Sequence, residues 1–88
     1  MKSQFQNVLA LHQLKALGYP LVNIRRSFHK LTGIGQPELA KMLGESRQNI
    51  TLHISGARSN PVVQEGIAEI YHVPVEEFFD GAQKDIPN

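Results

Sequence analysis

The side chains best equipped for chemistry lie between Gln36 and Asn60, and the chemistry they suit is recognition rather than bond-making. Arg47 carries a planar guanidinium whose donor fork matches the O6 and N7 acceptors of guanine. Beside it, Gln48 offers a donor and an acceptor, the complement of adenine N6 and N7. Thr51 and Leu52 add methyl groups that suit the C5-methyl of thymine. Around them stand Ser46, Asn49, Ser55, Arg58, Ser59 and Asn60, short polar or cationic groups near helix ends. Such groups suit phosphate oxygens, which set register and leave sequence choice to the base edges.

Catalytic and metal chemistry find no comparable constellation. Histidines 12, 29, 53 and 72 have no ligand spacing, and zero cysteines leave no thiolate site or thiol nucleophile. No glycine-rich loop follows a strand. Glu76 and Glu77 are neighbours, so on a helix they point apart and read as a solvated first turn. Asn49-Ile50-Thr51 spells a glycosylation acceptor, but inside a helix of a chain without a signal peptide. The expectation is no enzyme, no metal, no cofactor and no small-molecule ligand.

The elements that must position these groups are two short helices within residues 36–56, QPELAKMLGESRQNITLHISG, meeting at Gly44 through a three-residue turn. Pro37 sits in a first turn, where a missing N–H is harmless. Ala40 is small where the helices cross, and Gly44 turns the chain most cheaply with φ > 0. Ser46 is a good N-cap for a helix from Arg47 to Ser55, and Gly56 closes it. Ile50 locks against Leu39 and Leu43. Gln-x3-Ala-x3-Gly-x5-Ile-x5-Gly is the spacing of a DNA-binding helix-turn-helix.

With those residues, the sequence resembles the Cro and phage-repressor superfamily of Xre-type regulators over about residues 21–79. The closing stretch VQEGIAEIYHVPVEEFF looks like that of small phage-associated members. The resemblance implies an all-α, five-helix lambda-repressor-like domain. It implies that Gln36 bonds a backbone phosphate and steadies the first base-reading residue. Arg47, Gln48 and Thr51 match the outward positions that reach base edges.

The chain departs from the family pattern in three places. Many members carry a buried Arg–Glu pair linking the first core helix to the end of the recognition helix; the matching positions here are His29 and Ile54, so that pair is absent. His53 stands where an aliphatic residue is usual, and reads as a partly buried, hydrogen-bonded histidine or, alternatively, a phosphate contact. A helix over residues 3–17 precedes the usual first one.

That additional helix is capped by Ser3 and ended by Gly18, with Pro20 beyond. Phe5, Val8, Leu9, His12 and Ala16 form a stripe at 3/4 spacing, which Leu11, Leu14 and Leu17 widen. A helix over residues 21–31 turns Leu21, Ile24, Phe28 and Leu31 inward and Arg25, Arg26 and Lys30 outward. Asn60 and Pro61 read as N-cap and N1 of a helix to about His72, burying Val63, Ile67, Ile70 and Tyr71. A short turn over residues 75–79 then plugs Phe78 or Phe79 into the core. Five helices and no strand result, in one domain over residues 1–80 with a frayed tail over 81–88.

Composition supports a small globular domain: 88 residues, 41% hydrophobic. No apolar run approaches a membrane span, and the N-terminus has no apolar signal core, so the expected place is the cytoplasm of a bacterial or phage-infected cell. Net charge is only +1, yet residues 1–60 carry eight Lys/Arg against two Glu, and residues 61–88 one Lys against six Asp/Glu. The first part suits an anionic partner. The function expected is a sequence-specific transcriptional regulator, a phage or prophage repressor type, binding an inverted repeat of double-stranded DNA as a homodimer. One recognition helix covers only about 4–5 base pairs, too few to address a genome. The broad apolar first helix is expected at the dimer interface; dimerisation around Phe79 is the alternative. A protein-interaction module, such as an antitoxin or antirepressor partner, is the rival reading. An RNA-binding domain is a weaker one, lacking a stacking aromatic platform.

Overall fold

Proline and glycine punctuation divides the chain into its elements. The computed structural model describes residues 4–79. Within them it shows seven helical segments and no strand: α1 (Gln4–Ala16), α2 (Leu21–Ser27), α3 (His29–Thr32), α4 (Gln36–Leu43), α5 (Arg47–Ser55), α6 (Pro61–Tyr71) and α7 (Val75–Phe78). Ser3 and the 81–88 tail lie outside the described residues, as does the side chain of Phe5. No described helix is long and apolar enough to cross a membrane.

Local signals set most boundaries. Ser46 Oγ accepts the Asn49 N–H at 3.0 Å and Asn60 Oδ1 accepts the Val62 N–H at 2.9 Å, each satisfying an orphan donor of a first turn. Gly44 takes φ 69°, so Glu45 N–H reaches back to Ala40 O at 2.9 Å and ends α4. The same left-handed ending closes α6, but at His72, with φ 59°. The expected 21–31 helix is divided at Phe28. Its backbone stays helical, but its N–H bonds Arg25 O at 3.4 Å, a tighter turn, while the Ser27 hydroxyl bonds back to Asn23 O at 2.9 Å.

The core draws on α1, α2, α4, α5, α6 and α7. Ile24, Phe28, Leu39, Ile50, Ile67 and Phe78 are at most 1% exposed. Phe28 lies 5.3 Å from Tyr71 and 5.1 Å from Phe78, ring centre to ring centre, and Tyr71 lies 5.8 Å from Phe78, all tilted or edge-on as ring quadrupoles prefer. Both Phe78 and Phe79 are buried, not one of the two. α4 and α6 approach so closely that a β-carbon on Gly66 would stand 2.7 Å from Leu43 Cδ2.

Three sequence expectations need correction. On α1 the buried face is Asn7 and Leu11, with Val8 and Leu14 half-buried; Leu9, His12 and Ala16 are exposed. Apolar residues surround α1, so 3/4 spacing singles out no face, and Asn7 turns inward because its amide donates to Tyr71 O at 2.9 Å. Leu31 is 40% exposed, because the chain tightens at Phe28 before reaching it. Arg25 is buried rather than outward. It donates from Nε to Ile54 O at 2.7 Å and from Nη1 to Phe78 O at 3.0 Å, with its guanidinium 5.2 Å from the Phe79 ring centre. α2 is thereby linked to the end of α5 by a cation on helix-terminal carbonyls, the ends where a positive charge is favoured.

Tyr71 is 1% exposed and donates its hydroxyl to Ile34 O at 2.7 Å. Burial pushes its phenol from 10.0 up to about 12, and the Glu38 carboxylate adds to the push. Above about pH 10 the unfolded chain sheds this proton while the folded chain keeps it, so stability is intact below pH 10 and falls as pH rises toward 12. The full loss is on the order of 2–3 kcal/mol. Urea unfolding of the parent and of Tyr71→Phe, compared between pH 9 and 11.5, is expected to show the smaller alkaline decline in the variant. Equal declines would rule out a buried, protonated Tyr71.

Candidate nucleic-acid interface

A helix with one buried face must present the other, and α5 divides cleanly. Ile50, His53 and Ile54 are buried at 0–1% exposure. At 100° per residue, Gln48, Thr51, Leu52 and Ser55 share an arc of about 100° turned away from Ile50 and His53, while Arg47 lies within about 20° of Ile54, two turns earlier at the start of the helix. Arg47, Gln48 and Thr51 are exposed, with Leu52 and Ser55 half-buried. Gln48, Thr51 and Leu52 therefore share one side, and Arg47 stands exposed at its edge in the first turn.

Hydrogen bonds fix that surface to the rest of the molecule. Thr51 Oγ1 donates to Gln36 Oε1 at 2.8 Å, joining the middle of α5 to the first residue of α4 across 15 positions. Gln36 thus gives its oxygen to Thr51 rather than to Arg47, the first base-reading residue the resemblance implies. At the far end, His53 is fully buried, with Nδ1 2.8 Å from Asn49 O and Nε2 3.1 Å from Asn60 N. A carbonyl only accepts and an amide N–H only donates, so the ring is the neutral Nδ1–H form. His53 is a structural bridge from α5 to the cap of α6, and its alternative reading as a phosphate contact is corrected.

The phosphate candidates separate into two groups. Asn49 donates from Nδ2 to Glu45 Oε1 at 2.7 Å and accepts from Arg58 Nη1 at 2.7 Å. That chain, Glu45–Asn49–Arg58, holds an exposed cation against α5, with further guanidinium donors beyond the one used. Ser55 donates to Leu52 O at 3.0 Å, and Asn60 Oδ1 is taken by the α6 cap. Asn49 and Ser55 thus spend donors within the protein, while exposed Asn60, with only its oxygen taken, keeps its amide protons. Gln36 keeps its amide protons and Ser46 its hydroxyl proton as donors, and Arg58 and Ser59 are exposed on the loop after α5.

Charge follows the same division. Arg26, Lys30, Lys41, Arg47 and Arg58 are exposed on α2 to α5 and the following loop, with Glu38 the exposed acid among them, whereas Glu65, Glu69 and Glu76 are exposed on α6 and α7. Glu77 contacts His12 of α1. Sequence reasoning missed Glu45, whose signal was its four-residue spacing to Asn49 beside a helix start. Among the described residues no group of three His, Asp or Glu is placed to hold a metal ion. Compared with family models, curated proteins and solved structures, the chain finds no match.

Proposed function

We propose that this chain is a sequence-specific DNA-binding transcriptional regulator with a lambda-repressor-like fold, a small relative of the Cro and phage-repressor superfamily. α5 enters the major groove as the recognition helix, and the protein binds an inverted repeat as a homodimer. The observation that carries this reading is the outward face of α5, where Arg47, Gln48 and Thr51 stand exposed on a helix whose other side is buried. Arg47 and Gln48 read base edges. Gln36, Ser46, Arg58, Ser59 and Asn60 grip phosphates, and the acidic α6 and α7 face away from the DNA.

Homodimerisation is supported by apolar surface that a second copy would cover: Leu9 is 47% exposed, Leu17 73% and Tyr19 53%. Two-fold pairing sets the recognition helices about 34 Å apart, one turn of DNA. The same apolar surface favours the second reading, a protein-interaction module such as an antitoxin or antirepressor partner.

Selection of bound duplexes from a random library tests the proposal. A palindromic consensus is the expected result; no enrichment over input sinks the DNA reading and leaves the interaction module. On the selected site, Arg47→Ala is expected to lower specific affinity by about 1–3 kcal/mol and relax one position per half-site. Arg58→Ala instead weakens specific and non-specific duplexes alike and lowers the salt slope by about one. Full affinity and specificity in Arg47→Ala would remove Arg47 from the base-reading set.

A further inference from the structure

The Thr51–Gln36 hydrogen bond decides what both side chains have left to offer. Thr51 is exposed on α5, and its hydroxyl proton is directed at Gln36 Oε1, 2.8 Å away. A hydroxyl has one proton. None remains for guanine O6, purine N7 or thymine O4, so Thr51 is closed as a hydrogen-bond donor to a base. Threonine is branched at Cβ and stiff about χ1, so fixing Oγ1 toward α4 also fixes where its methyl stands. The Thr51 oxygen can still accept from adenine N6 or cytosine N4, so toward thymine, which offers only an acceptor and a methyl, the methyl is the contact left.

The neighbours strengthen the point. Leu52 follows, about 100° further round the helix and half-buried, and supplies further apolar surface. Arg47 and Gln48, one turn earlier, hold the donors for purine edges. The face is therefore graded, hydrogen-bonding at its first turn and apolar at its second. In the major groove only thymine presents a methyl group.

Resting on the reading of α5 as a recognition helix, we infer that Thr51 is a specificity-determining residue that selects thymine through its C5-methyl, and that Gln36 is its positioning residue, holding the hydroxyl so that the methyl is presented. Glutamine suits the task because its carbonyl oxygen takes the proton without adding negative charge next to DNA.

The test replaces thymine by uracil, one position at a time, in the selected duplex, which removes the methyl and nothing else. For the parent, one position in each half-site is expected to lose about fourfold in affinity, the worth of one buried methyl group. Thr51→Val keeps the methyl and should keep that loss; Thr51→Ser lacks the methyl and should bind the thymine and uracil duplexes equally. Gln36→Ala should shrink the thymine/uracil ratio, and Gln36→Glu, which still accepts the hydroxyl proton, should restore the ratio although its charge weakens both duplexes. Thr51 is exposed and Gln36 half-buried, so the melting temperature of each variant is measured alongside, and a variant that still melts cooperatively reports readout rather than loss of fold. Duplex binding with no uracil-sensitive position, or a Thr51→Ser protein that retains the ratio, overturns the inference and leaves the DNA reading standing. A parent that enriches no duplex overturns the DNA reading, and this inference with it.

Discussion

Replacing Arg25 with methionine is expected to lower stability by about 3–6 kcal/mol, since hydrogen bonds from a charged donor are worth about 1.5–3 kcal/mol each and the two to Ile54 O and Phe78 O are lost. For a domain of this size that corresponds to a fall in Tm of at least roughly 12 °C. Methionine matches the length of the stem and its apolar character, so the loss isolates the guanidinium. What remains behind is two helix-terminal carbonyls, Ile54 O and Phe78 O, at a site where Arg25 was only 9% exposed. Arg25→Lys is expected to recover part of the loss, because an ammonium is a point donor and lacks the planar fork that serves α5 and α7 together. Thermal unfolding followed by circular dichroism measures both. A methionine variant melting within a few degrees of the parent would show that the link between α2, α5 and α7 is not what holds the end of α5.

Phe78→Ala is the second large effect, a loss of about 3–5 kcal/mol. The ring is fully buried and lies 5.1 Å from Phe28, 5.8 Å from Tyr71 and 5.3 Å from Phe79, centre to centre. α7 is four residues long and far too short to hold itself as a helix, so its place depends on this anchor. Domains of this size have only about 4–13 kcal/mol of stability in total, so the alanine protein should be largely unfolded near 37 °C. Phe78→Leu keeps most of the volume and should fold with a smaller loss, which separates the cavity from the aromatic packing. Arg25 donates to the Phe78 carbonyl, a backbone group that Phe78→Leu keeps but whose place the Phe78 ring anchors, so the effects of Phe78→Leu and Arg25→Met should couple. Urea unfolding of the two single variants and the double variant measures that coupling. Strict additivity would show that the Phe78 ring does not set the position of the carbonyl that Arg25 bonds.

Position along the chain was enough for features whose causes are local. Ser46 and Asn60 cap the helices they were expected to cap, Gly44 and Gly56 end the ones they were expected to end, and α4, its turn and α5 lie within residues 36–56. Leu39, Ala40, Ile50 and Ile67 are buried as their spacing required. A cap or a breaker acts within four residues, so the sequence nearby contains the whole interaction. The outward face of α5 was legible for the same reason, because 3.6-residue periodicity maps position to face once the inward residues are known.

Only the tertiary structure decided where polar groups found partners. Leu21, Ile24, Arg25 and Phe28 are spaced as one face of α2, so the signal for a buried Arg25 was present, yet a cation there reads as outward because burying it unpaired is costly. The partners that remove that cost are carbonyls 29 and 53 residues away, and no local rule brings them near. Asn7 is buried through a carbonyl 64 residues on, while apolar Leu9, two positions later, stays in solvent. Thr51 and Gln36 meet across 15 residues, and Asn49 and Arg58 across nine. Apolar burial needs only a face, which periodicity supplies; a buried polar group needs a particular atom at hydrogen-bonding distance, and the path of the whole chain determines which atom that is.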